Sequence, residues 1–255
     1  MEGIIKAVCI SEKRGTVKKN INEVNVIKDF GLEGDAHAGK WHRQVSFLSA
    51  DIVDEFNEKG ASVIEGDFGE NILAYGIDFK KLPVGTKLIC NDAKFEITQI
   101  GKECHSHCEI YKRVGDCIMP REGIFAKVLE SGTIKVGDKI EVIYPEKDMP
   151  YMAAVMTLSD KGSRGERVDT SGPRAAEILK EHGFKIVEEI ILPDEEAQIK
   201  KHLIRLSDSR QVDLIITTGG TGLSPRDRTP EATLAVADRN VPGISEAIRA
   251  GSMTI

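Results

Sequence analysis

At 255 residues, with 40% hydrophobic and 30% charged positions, the chain has the composition of an ordinary globular protein long enough for two compact units. Its formal net charge of −6 divides into 21 Lys+Arg against 25 Asp+Glu over residues 1–150 and 14 against 16 over 151–255, so neither half has the basic face that nucleic acid requires. No apolar run approaches the ~20 residues of a membrane span and the N-terminus lacks a basic segment leading into an apolar one, so no membrane partner and a cytoplasmic location are expected.

In chain order, the first half reads as short strands between turns: Gly3–Ile10, Lys87–Cys90, Lys94–Ile100 and Lys139–Ile143, each rich in Val, Ile or Phe and bounded by Gly, Asn or Asp. The spacing of Ile52, Val53 and Phe56 predicts a helix over Asp51–Lys59, with Asp51 at the positive end of its dipole. Val84-Gly85-Thr86-Lys87-Leu88 and Val136-Gly137-Asp138-Lys139-Ile140 share one pattern, a glycine turn feeding a strand, which suits a small β-barrel. Five cysteines, an odd number, argue against a disulfide framework. Cys9 and Cys90 fall in apolar strands and are read as small buried hydrophobes, whereas Cys104, Cys108 and Cys117 share a polar segment.

The polar, proline-containing stretch 146–150 is read as a linker between a domain over 1–145 and another over 151–255. Beyond it strands and helices alternate: a strand at Tyr151–Leu158, a helix at Ser171–His182, a strand at Lys185–Leu192, a helix at Glu195–Leu206, a strand at Leu214–Thr218 and a helix at Pro242–Ala250. The fold class expected is α/β overall: a β-barrel-rich, mixed α+β first domain, then a three-layer αβα domain on a mostly parallel sheet. Ligands of such sheets bind beyond the carboxyl ends of the strands.

Directly after the third strand of that domain comes Thr217-Thr218-Gly219-Gly220-Thr221-Gly222, followed by Leu223-Ser224-Pro225-Arg226-Asp227-Arg228 and Thr229-Pro230-Glu231. The glycines permit positive φ and close approach to a phosphate, and Thr229 and Pro230 have the form of a helix cap and first helical residue, so a phosphate cradle is expected. With Ser159-Asp160, Asp169-Thr170-Ser171-Gly172 and Leu192-Pro193-Asp194-Glu195, the string resembles the molybdopterin adenylyltransferase family. The resemblance implies attack by the terminal phosphate of molybdopterin on the α-phosphate of ATP, releasing pyrophosphate, with Mg2+ bridging phosphate oxygens. It implies catalytic carboxylates at Asp194 and Asp227, with magnesium at Asp227, and nucleotide or pterin contacts from Ser159, Asp160, Asp169, Ser171, Gly172, Thr218, Gly219, Gly220, Thr221 and Gly222. Arg226 and Arg228 are open between phosphate neutralisation and a solvated surface. Members of that family continue past a helix like Pro242–Ala250, so the likeness spans about the first two-thirds of the domain and only a thin sheet. Weak or absent transfer activity is expected unless another chain supplies the remainder.

In the first domain, Cys104-His105-Ser106-His107-Cys108 places soft metal ligands close together. A zinc site drawing on these residues and Cys117 stays open, although adjacent His105 on an extended chain points away from an ion shared by Cys104 and Cys108. The surrounding order of motifs resembles the MOSC family: Gly34-Asp35-Ala36-His37, Arg43-Gln44-Val45-Ser46, Gly66-Asp67-Phe68-Gly69-Glu70-Asn71, Thr98-Gln99-Ile100-Gly101-Lys102-Glu103-Cys104 and Gly123-Ile124-Phe125-Ala126. The resemblance implies a cysteine, here Cys104, that carries sulfur or ligates molybdenum, its thiol acidified by Lys102, His105 and His107. Cys108 or Cys117 is then a candidate resolving thiol. His37, His42 and Arg43 are candidates to hold a pterin phosphate, with a structural imidazole beside Trp41 as the alternative for the two histidines.

The ligands implied are molybdopterin or the molybdenum cofactor and ATP with Mg2+; pyridoxal phosphate is not indicated. Other molybdenum-cofactor assembly proteins and further copies of the chain are the protein partners compatible with this reading. Two alternatives to an enzyme of cofactor assembly stand beside it: a module that binds and carries finished cofactor, and a MOSC-type detoxifier of N-hydroxylated compounds.

Overall fold

A computed structural model describes residues 2–102, 111, 115–146 and 150–253. The chain divides into two compact units, Met1–Met149 with Ser209–Gln211, and Pro150–Asp208 with Val212–Ile255.

The first unit contains β1 (Glu2–Ile10), β2 (Lys19–Asn20), β3 (Glu23–Ile27), β4 (Gly31–Leu32), β5 (Val45–Ser49), α1 (Ala50–Glu58), β6 (Ile72–Tyr75), β7 (Lys87–Cys90), β8 (Ala93–Ile100), α2 (Met119–Glu122), β9 (Ile124–Glu130), β10 (Gly132–Lys135) and β11 (Lys139–Ile143). Strands run in the order β11-β7-β8-β9-β5-β6-β1-β2, and pairing of β1 with β11 closes seven of them into a barrel. Closure removes the open edges a sheet of this size would otherwise expose. All barrel pairings are antiparallel except β5 with β6. A separate sheet, β10-β3-β4, lies beside it.

Phe47 fixes the barrel interior, its ring 5.6 Å from that of Phe79 and 5.3 Å from that of Phe95. All three are fully buried, and each contributes roughly 1.5–3 kcal/mol by leaving water. A second apolar cluster, with Val53, Phe56, Phe68 and Met119, lies between α1, α2 and the outer barrel wall. Strand β1 serves both clusters: Ile5 and Val8 face the first, Ala7 and Cys9 the second, and a register shift against β6 falls between Ile5 and Ala7. Cys9 and Cys90 are buried, and burial pushes both thiols up to about 12.

The second unit contains β12 (Met152–Leu158), α3 (Asp160–Ser163), α4 (Ser171–Glu181), β13 (Lys185–Leu192), α5 (Glu196–Ile204), β14 (Leu214–Thr218), α6 (Thr229–Val236) and α7 (Pro242–Ser252). The segment expected to complete the helix through Leu206 instead widens into a π-helical turn over Arg205–Ser209. The sheet order is β13-β12-β14, all parallel. Alternation on β12 serves two layers: Ala154, Met156 and Leu158 meet Ile199 and Leu203 of α5, while α4 packs on β12 and β13. Register decides where the site forms. Leu158 pairs with Leu192 and Thr157 with Thr218, so the three strands end level and the loops that follow them share one edge.

Candidate functional site

Each unit holds a cavity, and the second unit's, the more polar, lies on the edge just described. Ser159 follows β12; its backbone N–H bonds Leu192 O at 2.8 Å and its Oγ accepts from Gly162 N at 3.0 Å, capping α3. Asp160 and Asp194 are joined by reciprocal bonds: Asp160 N donates to Asp194 Oδ2 at 2.9 Å, and Asp194 N to Asp160 Oδ1 at 3.1 Å. Asp194 Oδ1 is buried and accepts no hydrogen bond. A buried carboxylate oxygen without a donor is costly, which is expected of an atom that serves a ligand.

The glycine loop lies against that atom. Gly219 and Gly220 have φ of +90° and +62°; a Cβ at 219 would stand 2.2 Å from Leu158 O, and one at 220 would stand 2.3 Å from Thr229 Oγ1 and 2.8 Å from Asp194 Oδ1. Only glycine fits either position. The loop is tied to α6 by Thr229, which donates from Oγ1 to Gly219 O at 3.0 Å and from N to Gly220 O at 3.1 Å. The expectation that Thr229 caps this helix is corrected: Arg228 occupies the cap position, and the Thr229 hydroxyl is spent as a donor to the loop. Asp227 Oδ2 accepts from Ser224 N at 3.3 Å.

Asp194, Asp227, Gly219, Gly220, Ser159, Asp169 and Ser171 line one cavity of about 270 Å³. Asp160, Gly172, Thr218, Thr221 and Gly222, expected there, are not among the lining residues. Asp169 is committed to local structure: Oδ2 accepts from Thr157 Oγ1 at 2.6 Å, and Oδ1 accepts from Ser171 N, Ser171 Oγ and Gly172 N. Burial would raise its carboxyl, but these donors hold it below the usual range. Arg226 is turned to Asp160, with Nε to Oδ2 at 2.5 Å and Nη2 to Oδ1 at 2.8 Å, and Arg228 lies 3.5 Å from Glu196. Arg167 was not anticipated. It lines the cavity and supplies a cation from a polar loop that carries no sequence signal beyond its charge.

The first unit's cavity, about 390 Å³, is lined by His37, Trp41, Arg43, Lys18, Lys102 and Cys117 among others. Arg43 lies over two rings, its guanidinium carbon 4.7 Å from the Trp41 centroid and 5.6 Å from that of Phe125, which fixes a cation beside flat apolar surface. Lys18 is buried with Nζ 2.8 Å from Asp35 Oδ2, and Asp35 also accepts from Ser11 N and Asn71 Nδ2. Burial works to raise the Asp35 carboxyl, yet His37, Lys18 and Asn71 together hold it well below the carboxylate range. His37 Nδ1 stands 3.6 Å from Asp35 Oδ1. His42, expected in this cavity, is not among its lining residues; its Nε2 lies 3.0 Å from Gln99 Oε1. Glu70 is fully buried, accepts from Gly66 N at 2.6 Å through Oε1, leaves Oε2 without a partner, and is pushed by burial up to about 7. Arg43 and Lys102 in the lining, with the apolar surface of Trp41 and Phe125 beside Arg43, suit an anion with an apolar body.

Cys104, His105, His107 and Cys108 lie outside the described residues. Among the described residues no group of three or more His, Cys, Asp or Glu side chains could hold a metal ion, and no helix is long and apolar enough to cross a membrane.

Residues 34–141 match the family model of the MOSC domain, and residues 154–255 match that of a "probable molybdopterin binding domain", the two matches following one another along the chain. The second stretch is 42% identical over 101 residues to the molybdopterin adenylyltransferase of Helicobacter pylori strain J99, covering 39% of this chain and 57% of that protein. It is 42% identical over 98 residues to the molybdopterin adenylyltransferase of Escherichia coli K12, covering 37% and 50%. The chain thus spans about half the length of these curated relatives. Among solved structures, the YUAD protein from Bacillus subtilis aligns over 57% of this chain and 98% of its own, at 20% identity and a TM-score of 0.49.

Proposed function

We propose that the chain is a molybdenum-cofactor assembly protein whose second unit binds ATP and molybdopterin and transfers adenylate between them. One observation carries the reading: the buried, unpartnered Asp194 Oδ1 borders the same cavity as Asp227 and the two glycines that admit no side chain. In the reaction, an oxygen of the pterin's terminal phosphate forms a bond to the α-phosphorus of ATP as the bridge to the β-phosphate breaks, and pyrophosphate leaves. The Gly219 and Gly220 backbone would receive the phosphates, Arg167 would offset their charge, and Asp194 with Asp227 would orient the triphosphate. Two carboxylates with an oxygen to spare fit Mg2+, which binds through one or two carboxylates plus substrate phosphates and neutralises charge on them. Their geometry does not require a protein cage.

The first unit would receive molybdopterin or its molybdenum-loaded form, with Lys102 and Arg43, itself held over Trp41 and Phe125, on the phosphate. Cys104 is proposed as the group that carries sulfur or ligates molybdenum, and His37 as a cavity wall. A carrier role, with binding and no turnover, is favoured for this unit taken alone by the aromatic sandwich around Arg43, which is built for holding.

Pyrophosphate release is the test. The full chain with molybdopterin, ATP and magnesium is expected to release pyrophosphate at a low rate, and Asp194→Ala and Asp227→Ala are each expected to abolish it. Tight pterin binding with no pyrophosphate from the wild type would leave the carrier reading in its place.

A further inference from the structure

We propose that Asp160 is a positioning residue of the second unit's site, one that sets the directions of Asp194 and Arg226 toward an anionic ligand without touching that ligand. The inference rests on the reading that this cavity takes nucleotide phosphates.

Three loops meet at this one carboxylate, since Asp160, Asp194 and Arg226 follow β12, β13 and β14 respectively. A single bond between Asp160 and Asp194 would leave either side chain free to pivot. The reciprocal pair, each backbone N–H donating to the other's carboxylate, fixes both. Because Asp194 Oδ2 is held by Asp160 N, its other oxygen is turned inward, where it is buried, has no partner and stands beside position 220 of the glycine loop.

Arg226 is held on the opposite side of the same group. Its Nε and Nη2 grip Asp160, which occupies one edge of the guanidinium and leaves the Nη1 end for an oxyanion, the fork geometry that phosphate prefers. The Arg226 side chain is 57% exposed, so this ion pair adds little to stability. What the pair does is select a rotamer before the ligand arrives, so that ordering is not charged against binding. The Arg226 guanidinium holds the Asp160 carboxyl below its ordinary range. Both Asp160 oxygens are engaged by protein donors, whereas Arg226, absent like Asp160 from the cavity lining, keeps its Nη1 clear of Asp160. Those two facts separate a brace from a ligand contact.

The test is a double-mutant cycle on the full chain, read as ATP affinity by isothermal titration for wild type, Asp160→Ala, Arg226→Ala and the double variant. Each single change is expected to weaken ATP about tenfold, and the double variant is expected to fall well short of the roughly hundredfold that independent losses would give, since part of the Asp160 effect runs through Arg226 and the rest through Asp194. Asp160→Asn keeps the shape and an acceptor for Asp194 N, and covers the case in which the alanine variant unfolds. Losses that multiply would mean that Asp160 contacts the ligand, and unchanged or tighter binding in Asp160→Ala would mean that it only repels phosphate; either overturns the proposal. If the wild type binds no ATP, the nucleotide reading fails, and the brace is decided on the free protein by 15N relaxation of the Arg226 Nε–H. Backbone-like order that is lost in Asp160→Asn supports it; mobility equal to that of exposed Arg249 overturns it.

Discussion

Replacing Glu70 by Gln should make the first unit more stable at neutral pH, although it removes a charge from a network that contains a lysine. Glu70 is fully buried, and burial raises its carboxyl from 4.5 to about 7. A carboxyl whose folded value is raised keeps its proton longer in the fold than in the unfolded chain, so folding takes up a proton between pH 4.5 and 7. Stability attributable to this group is therefore full below pH 4.5, falls as pH rises through that window and levels off above it. At about 1.4 kcal/mol per unit the whole penalty is on the order of 3 kcal/mol. Gln reproduces the protonated form: its carbonyl can accept from Gly66 N, and its amide replaces Oε2, which has no partner. Gly66, Phe68 and Lys18 face Glu70, and the buried thiol of Cys9 lies near enough to feel its charge. Urea unfolding followed by Trp41, the single tryptophan and a residue of the first unit, isolates this unit from the other. The wild type and Glu70→Gln should coincide near pH 4.5 and diverge by a few kcal/mol at pH 8. Parallel curves from pH 5 to 8 would refute the reasoning, because they would mean that Lys18 compensates the Glu70 charge throughout.

Gly220→Ala should lower the stability of the second unit by about 1–2 kcal/mol from positive φ alone and abolish ATP binding, since its methyl would meet Asp194 Oδ1; melting and titration check the two effects separately. Asp169→Ala should cost about 1–2 kcal/mol through the lost start of α4, seen as a lower melting temperature; a loss of ligand affinity with no change in melting would instead make Asp169 a ligand contact. Arg43→Ala should weaken molybdopterin binding by about tenfold or more, and Arg43→Lys should not restore it, because an ammonium does not stack between Trp41 and Phe125 as a guanidinium does. Equal affinity for the Lys variant, measured by pterin fluorescence, would assign Arg43 a role of charge alone.

How far these features could be read from sequence depends on whether the signal is local. β7, β11, β13 and β14 were legible to the residue because short apolar runs sit between unambiguous turn residues. β5 and β6 were passed over as strands. Val45–Ser49 is buried along its whole length, so no apolar and polar alternation marks it, and Ile72–Tyr75 pairs in parallel with it across a long connection. Barrel closure joins Glu2 to Glu141, a pairing no window of sequence contains. The same holds for function. Motif order singled out Asp194, Asp227, Gly219 and Gly220, which line one cavity, whereas the burial of Lys18 and the unpartnered oxygen of Glu70 had no signal, since nothing in Thr16-Val17-Lys18-Lys19 distinguishes a buried lysine from a solvated one. Asp160 was read as a ligand contact because its place after β12 is visible in sequence and its bonds to two other loops are not.

The chemistry proposed for the second unit's cavity turns on the direction of one transfer. The full chain given molybdopterin, magnesium and ATP labelled at the α-phosphorus should move the label onto the pterin, and Asp194→Ala should stop it while leaving pterin bound. Label that remains on ATP, or transfer that proceeds undiminished without the Asp194 carboxylate, would contradict it.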